Sequence, residues 1–169
     1  SMALIVSVMA IAAAFVTEPV SMLLPEMSEQ MKQAMELLLK GPVWVVLLSV
    51  SVFAPFFEEW LCRGVILRGL LKKVSPAWAI IISALVFGLI HMNLWQAIPA
   101  FLIGCLLGYV YYKTGSLKLT MLMHCVNNTF SVILSRIPAL EEAETFMDIL
   151  SPWAYAGIYI ACVLMLASA

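Results

Sequence analysis

Six apolar stretches fill most of this chain: about 3–17, 43–57, 77–92, 95–112, 117–135 and 152–168. Most approach the ~20 residues an α-helix needs to cross ~30 Å of hydrocarbon. In that solvent every backbone N–H and C=O must be satisfied within the protein. A spanning segment is therefore either a helix or a strand of a closed barrel. Alternating in/out patterning is absent, which excludes the barrel. The expected fold is all-α, a polytopic membrane protein built as a bundle of about six transmembrane helices. Composition agrees: of 169 residues, 64% are hydrophobic and 11% charged, against roughly 25% charged in an average soluble domain. Proline and glycine mark the joints at Gly41-Pro42, Ser75-Pro76, Thr114-Gly115-Ser116 and Ser151-Pro152. Each of those prolines stands where a helix starts and where its missing N–H costs least.

The length fits one domain, read in three parts. Residues 1–42 hold a first transmembrane helix and an amphipathic segment. That segment, 26–40, is expected to lie on the membrane surface with Met27, Met31, Met35 and Leu38 on one side. Residues 43–137 form the core bundle, and 138–169 an outer acidic loop and a last transmembrane helix. Basic residues set the orientation. With the N-terminus inside, Arg63, Arg68, Lys72, Lys73, Lys113 and Lys118 lie on the inner side and Lys32, Lys40 and Arg136 on the outer, six against three. Both termini are then expected in the cytoplasm, and the acidic segments Glu18 to Glu36 and Glu141 to Asp148 outside. The net charge is −1 with no basic tract, so nucleic acid is not an expected partner. The cysteines Cys62, Cys105, Cys125 and Cys162 form no CxxC pair. They read as small apolar packing residues.

Ionisable groups inside a membrane bundle are costly and are functional candidates by default. Three clusters qualify. In Phe56-Phe57-Glu58-Glu59-Trp60-Leu61-Cys62-Arg63 the two carboxylates point about 100° apart on a helix, so they cannot share one role. Glu59 and Arg63 stand at i and i+4, the spacing of a salt bridge. Glu58 is left without a local cation, which suits a general base. The bland alternative is that this cluster marks the membrane boundary. The second cluster is Phe87 and His91, at i and i+4. The third is His124 and Asn128, again at i and i+4, with Asn127 turned about 100° away as a weaker candidate. Each histidine alone reads equally well as a satisfied packing residue.

Depth decides whether the clusters can meet. If the second helix runs on past Glu59 to Lys73, Glu58 lies roughly 22 Å from its inner end, and His91 reaches a similar depth from Pro76. His124 fits less well, about 14 Å in from Gly115.

These residues resemble the motifs of the CAAX protease and bacteriocin-processing (CPBP, or Abi) family of intramembrane endopeptidases. Glu58, Glu59 and Arg63, followed by Gly64, match its paired-glutamate motif. Phe87 with His91, and His124 with Asn128, match the other two, in order and on separate helices. The resemblance covers about residues 43–137. Trp60-Leu61-Cys62 departs from the usual small or aliphatic filling, and the chain is short for the family.

The resemblance implies a peptidase in which Glu58 activates water, His91 helps to hold it, and His124 and Asn128 form an oxyanion hole. Glu59 and Arg63 would support the site through their ion pair. If a metal is bound, Glu58, His91 and His124 would hold zinc with a position left for water. HExxH is absent, and the same residues serve a metal-free, glutamate-based mechanism, so no cofactor is expected. The expected partners are the lipid bilayer and a membrane-associated peptide or protein substrate, cleaved in CAAX-type or bacteriocin-type processing. The expected location is a bacterial or archaeal cell membrane. Two other classes compete: a non-catalytic immunity or scaffold protein, and a transporter with a Glu58, His91, His124 proton relay. The transporter would want two-half symmetry, and no motif has a second copy.

Overall fold

The computed structural model describes residues 1–137, 143 and 145–168. The described residues are helical throughout, without strands. We number the helices α1 (Met2–Ser21), α2 (Glu29–Leu39), α3 (Val43–Leu70), α4 (Pro76–Leu89), α5 (Leu94–Thr114), α6 (Leu117–Leu134) and α7 (Pro152–Ser168). A 3₁₀ turn, Phe146–Asp148, precedes α7. Residues 138–142 and 144, part of the expected acidic outer loop, lie outside the described residues.

Every helix but α2 occupies one of the six apolar stretches. Helices α1, α3 and α5 are long and apolar enough to cross a membrane. Helices α4 and α7 are shorter, at 14 and 17 residues, and α6 is more polar. Burial is inverted relative to a water-soluble bundle: Leu4, Trp44, Phe53, Phe57, Trp60 and Trp153 face outward, while Glu59 and Arg63 are fully enclosed. The chain is a polytopic, all-helical membrane protein.

Helix α3 continues past the glutamates, as the absence of breakers after Glu59 predicts, and ends at Leu70 rather than Lys73. Its backbone is not uniform. Leu47–Phe53 and Trp60–Leu67 are wound as π-helix, and the α-helical Ala54–Glu59 lies between them. Pro55 stands in the first turn of this middle piece. A proline inside a helix removes a donor and crowds the preceding turn, and a widened turn is one of the few ways a helix absorbs such a disturbance.

Two packed groups hold the bundle. Val6, Met9 and Ala10 of α1 meet Leu107 and Val110 of α5 and Met123 of α6. Cys62 of α3 meets Phe87 of α4 and Ala100 of α5. Helices α4 and α5 make a close hairpin. A Cβ added at Gly88 would stand 2.7 Å from the Ala97 carbonyl oxygen, so this position accepts only a glycine at the observed separation.

Helix α2 starts at Ser28, whose hydroxyl accepts the Met31 N–H. The segment is amphipathic as expected; Met35, Leu38 and Leu39 line one side of an open cavity, with Leu38 still more than half exposed. Trp95 donates to the Pro25 carbonyl at 2.8 Å on one side of α2. Arg136 donates to the carbonyls of Leu39 and Gly41 on the other. These two anchors hold α2 over the cavity.

Candidate active site

Glu59 and Arg63 sit one turn apart on α3, and both side chains are fully enclosed. The guanidinium donates to Glu59 Oε1 at 2.7 Å and to the Gly104 carbonyl of α5 at 2.8 Å. It also stands over the Phe87 ring, 4.5 Å from the centroid, a geometry favourable for a cation on an aromatic face. The i,i+4 pair read from sequence is therefore present, and it fastens α3 to α4 and α5.

His124 of α6 bridges the two glutamates. Its Nδ1 lies 3.1 Å from Glu59 Oε1 and its Nε2 3.7 Å from Glu58 Oε2. A carboxylate facing an arginine accepts hydrogen bonds, so His124 Nδ1 carries its proton and donates to Glu59. The other ring nitrogen is turned toward Glu58. Residue counting had left His124 too shallow to reach this level. Counting assumes helices that all enter perpendicular to the bilayer from one plane, and packing does not enforce that.

Glu58 differs from its neighbour in surroundings. Its side chain keeps about a quarter of its surface open, at 24%, and it faces a cavity of about 820 Å³. His91, Gln96, His124, Asn127 and Asn128 line the same cavity. Two adjacent carboxylates thus hold different stations: Glu59 is locked in protein, and Glu58 opens onto space that a substrate and water can occupy.

His91 is close to the expected place but not on a helix. Helix α4 ends at Leu89, not near residue 92, because the chain must reverse at once into α5. Met92 takes a positive φ of 54°, and Asn93 caps α5 by accepting the Gln96 N–H at 2.9 Å. His91 Nδ1 donates to the Phe87 carbonyl at 2.8 Å, which leaves Nε2 unengaged by that bond. The Phe87 ring stands edge-on to both imidazoles, 5.2 Å from His91 and 5.3 Å from His124. Phe87 therefore spaces the two histidines around the cavity.

Asn128, one turn from His124 on α6, lines the same cavity. Its Nδ2 donates to the Val50 carbonyl of α3 at 2.8 Å, so one of its two amide hydrogens is committed to backbone. Asn127, ranked weaker from helix geometry, lines the cavity and donates to Asn128 Oδ1 at 3.2 Å. Its own Oδ1 is buried without a partner. Gln96 was missed altogether. The Asn93-x-x-Gln96 spacing at a helix start was the available signal.

Among the described residues, no group of three or more His, Cys, Asp or Glu side chains is placed to hold a metal ion. His124 meets a carboxylate at each ring nitrogen, and His91 stands apart across Phe87. Glu58, His91 and His124 do not form a ligand set as placed here.

A family model described as type II CAAX prenyl endopeptidase Rce1-like matches residues 40–130, more than half of the chain. The matched span contains all eight residues singled out from the motifs. The putative membrane peptidase YdiL of Bacillus subtilis (strain 168) is 25% identical over 126 residues, which cover 73% of this chain and 51% of that protein. The chain spans about half the length of that relative. No solved structure matches it.

Proposed function

The chain belongs to the type II CAAX prenyl endopeptidase Rce1-like family, and from that membership we propose that it is an intramembrane endopeptidase in which Glu58 activates water. One observation carries this reading: of two adjacent glutamates, Glu59 is locked by Arg63 and His124 while Glu58 faces the cavity. A general base must reach both water and substrate, and only Glu58 has that access.

In the proposed reaction a water hydrogen-bonded to Glu58 gives up a proton to the carboxylate as its oxygen bonds to the peptide carbonyl carbon. His91, through its free Nε2, helps hold that water. His124, oriented by Glu59, supplies a donor to the oxyanion when its Nε2 is protonated, and oriented donors of this kind stabilise the developing charge. Glu58 then passes its proton to the departing amine as the C–N bond breaks. No step uses a metal. The substrate is a membrane-associated peptide or protein that enters the apolar cavity beneath α2, in CAAX-type or peptide-processing cleavage.

The test is cleavage of two internally quenched peptides in detergent, one farnesylated at a CAAX end and one apolar but unlipidated. Wild type and Glu58→Gln are compared with and without a chelator. Loss of a general base predicts a fall in kcat of at least roughly a hundredfold for Glu58→Gln. Undiminished cleavage by that variant would sink the glutamate mechanism. Loss with chelator alone would replace it with a metal-dependent one. Cleavage of neither peptide by the wild type would favour the non-catalytic immunity or scaffold reading.

A further inference from the structure

The first π stretch of α3 ends at a specific rung. Ala54 N–H reaches back five residues to the Ser49 carbonyl. The next rung in the same register would run from residue 55 to the Val50 carbonyl. Residue 55 is proline and has no N–H to give. The Val50 carbonyl is therefore orphaned by the sequence itself, within a helix long and apolar enough to cross a membrane, where lipid tails offer no replacement donor. The Ser51 hydroxyl beside it is buried without a partner, so it does not fill the gap. The donor that does is the Asn128 amide, from a helix 78 residues further along the chain, at 2.8 Å.

We infer that Asn128 is a positioning residue: it caps the Val50 carbonyl that Pro55 leaves unsatisfied, and so fixes the turn of α3 that carries Glu58. Pro55 is buried and stands three residues before Glu58, on the same face of one helical turn. Asn127 braces the amide from behind by donating to Asn128 Oδ1, which orients Nδ2 toward Val50. Only one polar interaction between α6 and the first π stretch is needed to tie the base to the helix of His124. The position of Glu58 relative to His124 Nε2 then follows from the pair Pro55 and Asn128. This goes beyond the proposed hydrolysis. Its activity arm rests on that reading, and its stability arm does not.

A two-by-two cycle separates the cap from a direct role in the reaction. Asn128→Ala is made with Pro55 and with Pro55→Ala, in the full chain in detergent. Alanine at 55 restores an N–H that can complete the Val50 rung. With Pro55 present, Asn128→Ala lowers the thermal midpoint by about 5 °C. It also lowers kcat on the quenched farnesylated peptide by roughly tenfold to a hundredfold, with KM little changed. In the Pro55→Ala background both losses shrink to less than about a third of those values. If Asn128→Ala yields no folded protein, Asn128→Asp removes the donor at nearly constant volume and enters the same cycle. Equal losses in both backgrounds overturn the inference. A wild type that cleaves neither peptide defeats the hydrolase reading, while the midpoints still decide the cap.

Discussion

Helix α3 and the α4–α5 hairpin lie side by side in one bundle and meet the demand for satisfied backbone in opposite ways. The hairpin is α-helical throughout, even across Pro99, and its helices approach until glycine is the only residue that fits between them. Helix α3 is wound loosely on both sides of its glutamates. Side chains from other helices catch its carbonyls: Asn128 at Val50 and the Ser83 hydroxyl at Cys62, each at 2.8 Å. The regular pair acts as a wall. The irregular helix acts as a mount whose geometry is set by its neighbours, and it carries the ionisable groups. Widened turns are frequent at functional sites, and here each one is matched to an identified partner.

The comparison is broken most severely by removing Arg63. Arg63→Met leaves the fully enclosed Glu59 with a carboxylate whose only remaining hydrogen-bond partner is His124. Stripping one partner from a buried ion pair costs about 3–5 kcal/mol. The variant also loses the link to the Gly104 carbonyl, so α3 should separate from the hairpin. Thermal unfolding in detergent measures the loss. A Glu59→Gln, Arg63→Met double variant should recover a large part of it, because no charge is then left unpaired. A single variant as stable as wild type would mean that the pair does not join α3 to the wall.

A smaller effect is expected on the wall itself. Gly88→Ala places a methyl 2.7 Å from the Ala97 carbonyl oxygen, and the obstacle is backbone. The helices must part by several tenths of an ångström, and overpacking of this kind costs about 1–3 kcal/mol. Gly88 follows Phe87, which spaces His91 and His124, so cleavage of the quenched peptide should fall together with the thermal midpoint. Retained stability and activity would show that the hairpin is more compliant than its spacing indicates.

Much of this arrangement was legible in the sequence, for local reasons. Residues at i and i+4 meet on a helix, so Glu59 with Arg63 needed no tertiary information, while Phe87 and His91 meet across the turn that ends α4. The continuation of α3 beyond Glu59 followed from the lack of breakers before Lys72. The π-winding was not legible. Pro55 announces a disturbance, but whether a helix kinks, breaks or widens depends on who supplies the missing donor, and Asn128 is remote in the chain. The apolar face of α2 was visible, but periodicity does not say whether such a face meets lipid or protein. The level of His124 was not legible, because residue counting along straight helices ignores tilt, and its place beside both glutamates depends on packing.

The smallest expected effect sharpens the contrast between the two kinds of glycine. Gly69 lies in the last turn of α3, exposed and helical, and a Cβ built on it has nothing within 4 Å. Gly64, earlier in the same helix, would meet the Leu117 and Trp60 side chains and the Glu59 carbonyl oxygen, none nearer than 3.5 Å and all ordinary contacts. Neither is required by a close approach as Gly88 is. Gly69→Ala should therefore stabilise the chain by about 0.5–1 kcal/mol, since alanine gives up less backbone freedom on folding. The corresponding rise in thermal midpoint is about 1–4 °C. A fall would show that this end of α3 is held against something that needs the bare backbone, and the division between a close-packed wall and a side-chain-braced mount would then fail at the C-terminal end of α3.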